Sequence, residues 1–193
     1  MQKAGAEAQY RLDDTWSLTG ELSRQDNLSS DAARDLAATG VRWERNVTAL
    51  EAGVQLARDE SALGESFESE QLTLGAEHSL YNGRLDLSAE ADIGLSGGGS
   101  ANPDYPNRLS LMASHALNTS VRLIAAQEFT QGDAYDTSLT RAGMQVVPWS
   151  GARLQTTLNQ QAISEYGPRT FAQFGMTQSL LQGQHLGADV AID

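Results

Sequence analysis

Four basic side chains stand at one position of a segment that recurs along this 193-residue sequence. Arg84, Arg122, Arg153 and His185 each directly precede a leucine that ends the segment. If the segments are strands of one sheet, these side chains share a register and point away from the leucines. A ring of positive charges at one level is the kind of group that favours anions in a pore. The alternative is ion pairing with acidic neighbours, and we favour it because the register varies by one residue between segments.

Six carboxylates lie on the same predicted polar faces: Glu51, Glu77, Asp86, Glu90, Asp92 and Glu128. Several of them are candidate partners of the basic set, and as a group they would make a wet interior prefer cations. Asp86 and Asp92 have the oxygen donors that calcium prefers. However, the sequence lacks an Asp-x-Asp-x-Asp-Gly loop, and it has no cysteine for a thiolate site. We therefore predict no metal site and no cofactor.

The residue types of a hydrolase occur close together but in an unsuitable arrangement. Ser114 or Ser120 could be combined with His115 and Asn118. Adjacent residues of a strand point to opposite faces, so Ser114 and His115 would not reach each other. The run Gly97–Gly99 lacks the lysine and helix of a phosphate-binding loop. The prediction is that the chain is not an enzyme.

The elements that position these residues are repeated hairpins. One unit recurs six times: a small residue, an arm in which apolar and polar residues alternate, a short polar turn and a closing leucine. The closing leucines are Leu18, Leu50, Leu85, Leu123, Leu154 and Leu186. Asn82-Gly83 and Ser150-Gly151 are strong turn dipeptides, while Asp13-Asp14, Asn46 and Asn118 are weaker ones.

The arms alternate with a period of two. Leu85, Leu87, Ala89, Ala91, Ile93 and Leu95 share one face of an arm whose other face is polar, and this pattern excludes a helix. The predicted strands are 4–12, 16–27, 37–46, 49–60, 70–80, 84–96, 107–117, 121–131, 138–147, 152–164, 170–180 and 185–193. Short turns alternate with longer polar loops at 28–36, 61–69 and 97–106, and with two shorter ones near 132–137 and 165–169.

Composition limits the classes of partner. With 25 acidic and 13 basic residues the net charge is −12, which argues against nucleic acid binding. No apolar run reaches 18 residues, so a transmembrane helix is not expected. The start has no apolar region of a signal peptide, and the end at Ala191-Ile192-Asp193 falls within an alternating pattern. We expect one domain over 1–193, either a mature chain or a piece of a longer one.

Three features favour a membrane over a soluble β-protein. The predicted strands are long enough to cross a bilayer, charges occupy mid-strand positions, and aromatic residues gather at strand ends. Those near the tight turns are Tyr10, Trp16, Trp43, Tyr81 and Trp149. Those near the loops are Phe67, Tyr105, Phe129, Tyr135, Tyr166 and Phe171. Two such girdles are typical of the two membrane interfaces.

The whole pattern resembles the class of bacterial outer-membrane β-barrels. The fold prediction is therefore all-β, an antiparallel up-and-down transmembrane barrel of about twelve strands in six hairpin repeats. The resemblance implies a Gram-negative outer-membrane location, contact with outer-membrane lipids and assembly by the barrel-insertion machinery. Members of this class typically end on an aromatic residue, and Asp193 departs from that pattern.

The expected role is a passive pore for small solutes or ions, or the membrane anchor of a larger surface protein. A soluble or extracellular binding or adhesion module made of hairpin repeats is the alternative. An outer-membrane hydrolase is the third candidate and the least favoured.

Overall fold

The structure, a computed structural model, describes residues 2–27, 32–60, 66–95, 106–132, 136–179 and 185–192. Within these ranges side chains are described from residue 4 to 179, apart from Asn27, Ala32 and Phe67. Predictions for Tyr105, Tyr135 and the side chains of Phe67 and His185 lie outside the described residues.

The described chain forms twelve strands and no other extended element. They are β1 (Gln2–Arg11), β2 (Trp16–Asn27), β3 (Ala32–Arg45), β4 (Thr48–Glu60), β5 (Ser66–Leu80), β6 (Leu85–Gly94), β7 (Asn107–Ala116), β8 (Val121–Gln131), β9 (Thr137–Val146), β10 (Ala152–Ile163), β11 (Gly167–Ser179) and β12 (His185–Ile192).

The strands follow one another through a single sheet in chain order, from β1 to β12. The pairs from β1 to β4 and from β9 to β12 are antiparallel throughout. The prediction of an all-β, antiparallel up-and-down arrangement is confirmed. Closure of the sheet into a barrel remains a prediction.

Three strands begin at least three residues earlier than the sequence pattern predicts. β3 starts at Ala32, β5 at Ser66 and β11 at Gly167, inside the predicted loops 28–36, 61–69 and 165–169. The reason is visible on β3 and β4, where Arg34 lies opposite Asp59 and Asp35 lies opposite Arg58. These charged residues break the apolar alternation, but they pair across the strands and extend the ladder.

Side-chain oxygens close two of the tight turns. The Asp13 carboxylate accepts hydrogen bonds from the Thr15 and Trp16 backbone N–H groups, at 2.6 and 2.8 Å, and from the Thr15 hydroxyl at 2.8 Å. The bonds from Thr15 lower the pKa of Asp13 below its ordinary value, with the Trp16 N–H adding to the effect. Asn118 closes the β7–β8 turn in the same way, accepting from Ser120 and Val121.

The β5–β6 turn uses positive backbone angles instead. Tyr81, Asn82 and Gly83 have φ values of 53°, 57° and 78°. Consecutive residues in this left-handed region are typical of turns whose twist matches that of the flanking strands, and Asn-Gly tolerates them best.

The described residues separate into two compact units, each considered by itself below. Unit 1 comprises Met1–Glu77, Ala89–Leu109 and Thr130–Ala134, and unit 2 comprises His78–Ser88, Ser110–Phe129 and Tyr135–Asp193. The expectation of one domain over 1–193 stays a prediction.

Burial is inverted relative to a soluble protein in both units. The hydrophobic side chains that are buried among the described residues are three alanines, Ala49, Ala57 and Ala152. The other buried side chains are polar: Ser69 and Gln71 in unit 1, and Ser114, Thr157 and Asn159 in unit 2. Large apolar side chains are exposed instead, including Leu22 at 65% in unit 1 and Leu158 at 57% in unit 2.

The register assigns these side chains to opposite faces. On the apolar face, Leu22 of β2 lies opposite Ala37 of β3, which lies opposite Leu56 of β4. Buried Ala49 and Ala57 belong to the other face of β4, because their positions alternate with Leu50 and Leu56. The sheet therefore exposes its apolar face and buries part of its polar face.

In the part of the chain that the structure describes, no helix has the length and hydropathy needed to cross a membrane.

Candidate functional site

The polar face of the sheet carries the charged residues, and in unit 1 its centre is Arg42 of β3. The guanidinium lies 3.3 Å from Glu51, 3.0 Å from Glu77 and 3.6 Å from Glu44. Glu51 is the direct cross-strand partner of Arg42. The sequence pattern indicates Glu51 and Glu77 but not Arg42, because Arg42 lies on the strand before the turn and does not precede the closing leucine of its hairpin.

A small cavity of about 160 Å³ adjoins this cluster. It is lined by Arg42, Glu51 and Glu77 together with Glu90 and Asp92 of β6. The structure thus brings four of the six predicted acidic residues to one place in unit 1. Asp92 is compensated by Arg108, 3.0 Å away. Glu90 has no ion pair among the described residues, so the lining of the cavity is acidic.

In unit 2 the corresponding cluster joins Arg122 to Asp86. The Arg122 Nη1 atom lies 2.8 Å from the Asp86 carboxylate and donates a second bond to the Ser114 hydroxyl at 2.7 Å. The Ser79 hydroxyl also donates to Asp86, at 2.7 Å. Of the predicted basic set, Arg122 is therefore held by a carboxylate on the polar face of the sheet.

A second polar cluster in unit 2 is centred on Asn159 of β10, whose side chain is fully buried. Arg141 donates to the Asn159 Oδ1 atom at 2.9 Å, and the Asn159 amide reaches Thr157 and Gln173 at 3.3 and 3.4 Å. This cluster was not predicted from the sequence. The available signal was the alternation of β10, which places Thr157 and Asn159 on the polar face.

The other described members of the predicted basic set, Arg84 and Arg153, lie outside these clusters. Arg84 lies exposed at the end of the β5–β6 turn, and Arg153 lies exposed just after the β9–β10 turn. Neither forms an ion pair within the described residues. Glu128 on β8 is half-buried and likewise has no ion pair there. A basic ring that includes His185 stays a prediction.

The predicted aromatic residues near the tight turns are largely exposed. Trp16 and Trp43 are direct cross-strand partners, and Tyr10 lies opposite Leu18, all on the apolar face of unit 1. Tyr10, Trp16, Tyr81 and Trp149 are 68%, 42%, 71% and 55% exposed. The Trp149 Nε1–H group donates to Gln178 at 2.9 Å. An amphipathic ring with one bonded polar atom suits an interface between apolar and aqueous surroundings.

The structure does not bring together Ser114 and His115, the serine and histidine of the hydrolase candidate. The Ser114 hydroxyl accepts a hydrogen bond from Arg122, and His115 follows it on the strand, with its side chain on the opposite face. Among the described residues no group of three or more His, Asp or Glu side chains is placed to hold a metal ion. The arrangement is a set of polar networks, held by ion pairs and hydrogen bonds, on the polar face of the sheet.

No protein-family model matches the chain, and no curated protein matches it in sequence. Among solved structures, the chain is similar to the G324V mutant of the ferric enterobactin receptor PfeA from Pseudomonas aeruginosa, with a TM-score of 0.60 and 11% identity. The likeness covers 98% of this chain and 40% of the receptor chain, so the chain spans less than half of the receptor's length. At this identity the similarity shows a shared β-barrel-like fold.

A second similar chain comes from a study of the in-meso crystallization of membrane proteins, at a TM-score of 0.45 and 11% identity. It covers 97% of this chain and 76% of that one. A TM-score of this size supports no conclusion about the fold.

Proposed function

We propose that the chain forms the wall of a bacterial outer-membrane β-barrel, with its apolar face against lipid and its polar face towards a water-filled interior. The inverted burial carries this proposal. Leucine, valine and phenylalanine side chains are exposed on one face, while serine, threonine, asparagine and glutamine side chains are buried on the other. In water such a surface would be a large aggregation-prone patch, whereas in a bilayer it is the stable orientation.

The height of the apolar band supports the same proposal. On β2, β3 and β4 one row contains Trp16, Trp43 and Leu50, and the first charged row contains Arg24, Asp35 and Arg58. These rows are eight residues apart, which is about 26 Å along a strand at about 3.3 Å per residue. A strand tilt of about 40° reduces this to about 20 Å, near the apolar belt of about 25 Å in barrels of this class.

The need to pair the backbone groups at the sheet edges supports closure of the barrel. β1 and β12 are the two ends of the strand order. Hydrocarbon offers no water to unpaired N–H and C=O groups, so each edge needs a partner strand inside a membrane. The edges would pair with each other or with further strands.

The proposed role is passive, either a pore for small solutes or ions or the anchor of a larger surface protein. Outer-membrane lipids and the barrel-assembly machinery are the proposed partners. The polar networks around Arg42, Arg122 and Arg141 would hold the wet side of the wall, and no catalysis, metal or cofactor is assigned to them.

Two measurements test the proposal. A closed barrel keeps its fold in cold detergent, so unheated and heated samples should migrate differently on a detergent gel. A chain that stays soluble and monomeric without detergent would contradict the membrane assignment. In a planar bilayer, stepwise conductance would identify a pore, and a folded barrel without conductance would identify an anchor.

A further inference from the structure

Two neighbouring rows on the polar face of unit 2 combine arginines with apolar side chains. They lie near the starts of β9 and β11 and the end of β10. Phe171 was predicted for the loop-side aromatic girdle, but it lies directly opposite Asn159 and therefore belongs to the polar face. The two rows, which we call the β9–β11 patch, consist of direct cross-strand partners: Arg141, Asn159 and Phe171 in one row, and Leu139, Gln161 and Arg169 in the next.

The register places side chains of the same kind at opposite corners of this patch. Arg141 on β9 and Arg169 on β11 are two strands, about 10 Å, apart across the sheet and offset by two residues along it. Leu139 and Phe171, both half-buried, occupy the other two corners. Apolar surface with a few well-placed polar groups is the composition of ligand sites.

Arg141 is held in place without being neutralised. Its Nε–H group donates to the Oδ1 atom of the fully buried Asn159 at 2.9 Å, and Arg141 forms no ion pair among the described residues. Arg42 and Arg122, by contrast, are held by carboxylates. A neutral amide orients the guanidinium but leaves its positive charge uncompensated. The Nη groups of Arg141 can therefore still donate to a ligand.

The second arginine of the patch is also uncompensated. Arg169 is exposed and forms no ion pair within the part of the chain that the structure describes. Glu128, the carboxylate of the neighbouring strand β8, is paired with neither Arg141 nor Arg169. The patch thus presents two positive charges with apolar surface beside them.

We propose that the β9–β11 patch binds an organic anion in which a short apolar body, such as an aromatic ring, joins two acidic groups. One acidic group would accept hydrogen bonds from Arg141 and the other from Arg169, because guanidinium N–H groups match carboxylate oxygens in pairs. The apolar body would pack against Phe171 and Leu139. A cation is not suited, because the patch contains no carboxylate. The inference names a solute class for the proposed barrel and rests on its polar face being wet.

The test uses the full chain folded in detergent micelles and measures binding by titration calorimetry at one fixed ionic strength. The probes are terephthalate, which has two carboxylates on one ring, and benzoate, which has one. We expect terephthalate to bind about threefold to fivefold more tightly than benzoate, the scale of one further exposed ion pair. Sulfate has two charges but no apolar body, so it should bind more weakly than terephthalate.

Four variants locate the site. Arg141→Gln and Arg169→Gln should each lower the affinity for terephthalate to about that for benzoate. Asn159→Asp keeps the shape of the side chain but places a carboxylate against Arg141, so it should lower the affinity as much as Arg141→Gln does. If Asn159 served only the fold, Asn159→Asp would leave the affinity unchanged. Arg45→Gln removes an exposed arginine near the β3–β4 turn of unit 1 and is the control for overall charge, so it should have no effect.

Three results would overturn the inference. They are equal affinity for terephthalate and benzoate, sulfate binding as tight as terephthalate binding, which would show an adventitious ion only, and an unchanged affinity in Arg141→Gln and Asn159→Asp. Heat-dependent gel migration keeps the two proposals apart. Its absence in the parent chain overturns the barrel assignment, whereas its presence without terephthalate binding overturns only the ligand site.

Discussion

Arg24 on β2 lies directly opposite Asp35 on β3, with the Arg24 guanidinium 3.4 Å from the Asp35 carboxylate. The neighbouring row on the same face is the directly opposed pair Leu22 and Ala37. The change from apolar to charged thus occurs at a single row across adjacent strands. A row-wise boundary of this kind is expected where a planar interface crosses a sheet, and the predictions below depend on which side of it a residue lies.

The first prediction concerns close strand contact at Gly143 of β9. A Cβ atom there would lie 2.7 Å from the Thr157 Cγ2 atom and 2.8 Å from the Thr156 carbonyl oxygen. Gly143→Ala should therefore destabilise the fold by about 1 to 3 kcal/mol, the usual cost of overpacking. Urea unfolding in detergent or vesicles measures the change. Gly75→Ala, whose nearest contact would be 3.4 Å from the Glu51 Cβ atom, is the control, and an equal effect of both variants would contradict the steric account.

The second prediction concerns pH and the Asp13 turn. Because the folded turn lowers the pKa of Asp13, the unfolded chain takes up the proton first as the pH falls. The stabilisation from this carboxylate is fully present above its unfolded pKa, near 4, and is lost as the pH falls through the lower folded pKa. We expect the protection factors of the Thr15 and Trp16 amides, measured against their intrinsic exchange rates at each pH, to fall below about pH 4.

The matched variants for this turn are Asp13→Ala and Asp14→Ala. The Asp14 carboxylate makes only an exposed contact with Arg11 at 3.6 Å, so its loss should leave the Thr15 and Trp16 amides protected. Asp13→Ala should expose both amides at every pH. If Asp13→Ala exchanged as slowly as the parent chain at pH 7, the carboxylate would not be what closes the turn.

The third prediction concerns the ion selectivity of the proposed pore. Arg122 is compensated by Asp86, whereas Arg84 and Arg153 have no carboxylate partner among the described residues. Replacing both Arg84 and Arg153 with glutamine should shift the reversal potential towards cations, because two positive charges are lost. The control is Arg122→Gln with Asp86→Asn, which removes one charge of each sign and should leave the reversal potential unchanged. An unchanged potential in the first double variant would discard the basic ring.

The strands could be predicted from sequence because the alternation is regular over most of their length. β8 has the predicted bounds, and β4 differs by one residue at its start. The errors at the starts of β3 and β5 have one cause. Residues 32–36 and 66–69 lie in or beyond the charged row of the apolar face, where alternation of apolar and polar residues no longer marks a strand.

The pairing within the clusters could not be predicted, because it depends on register between strands far apart in sequence. Glu77 is 35 residues from Arg42, and Asp86 is 36 residues from Arg122. A list of inward-facing charges shows which residues share a face but does not identify partners. Asn159 was missed for a different reason: an uncharged amide in an alternating strand gives no signal that its neighbours bury it completely.

The most direct test of the membrane assignment compares two adjacent residues of β4 that point to opposite faces. Val54, 37% exposed, lies opposite Thr39 in the middle of the apolar band, and Gln55 faces the polar side opposite Ala38. In vesicles, Val54→Arg should destabilise the folded chain by about 2 to 4 kcal/mol, the cost of an arginine near the bilayer midplane. Gln55→Arg should change stability by about 1 kcal/mol or less, because it adds a charge to a wet face. The reverse order, with Val54→Arg tolerated and Gln55→Arg disruptive, is what a soluble sheet would give and would contradict the account.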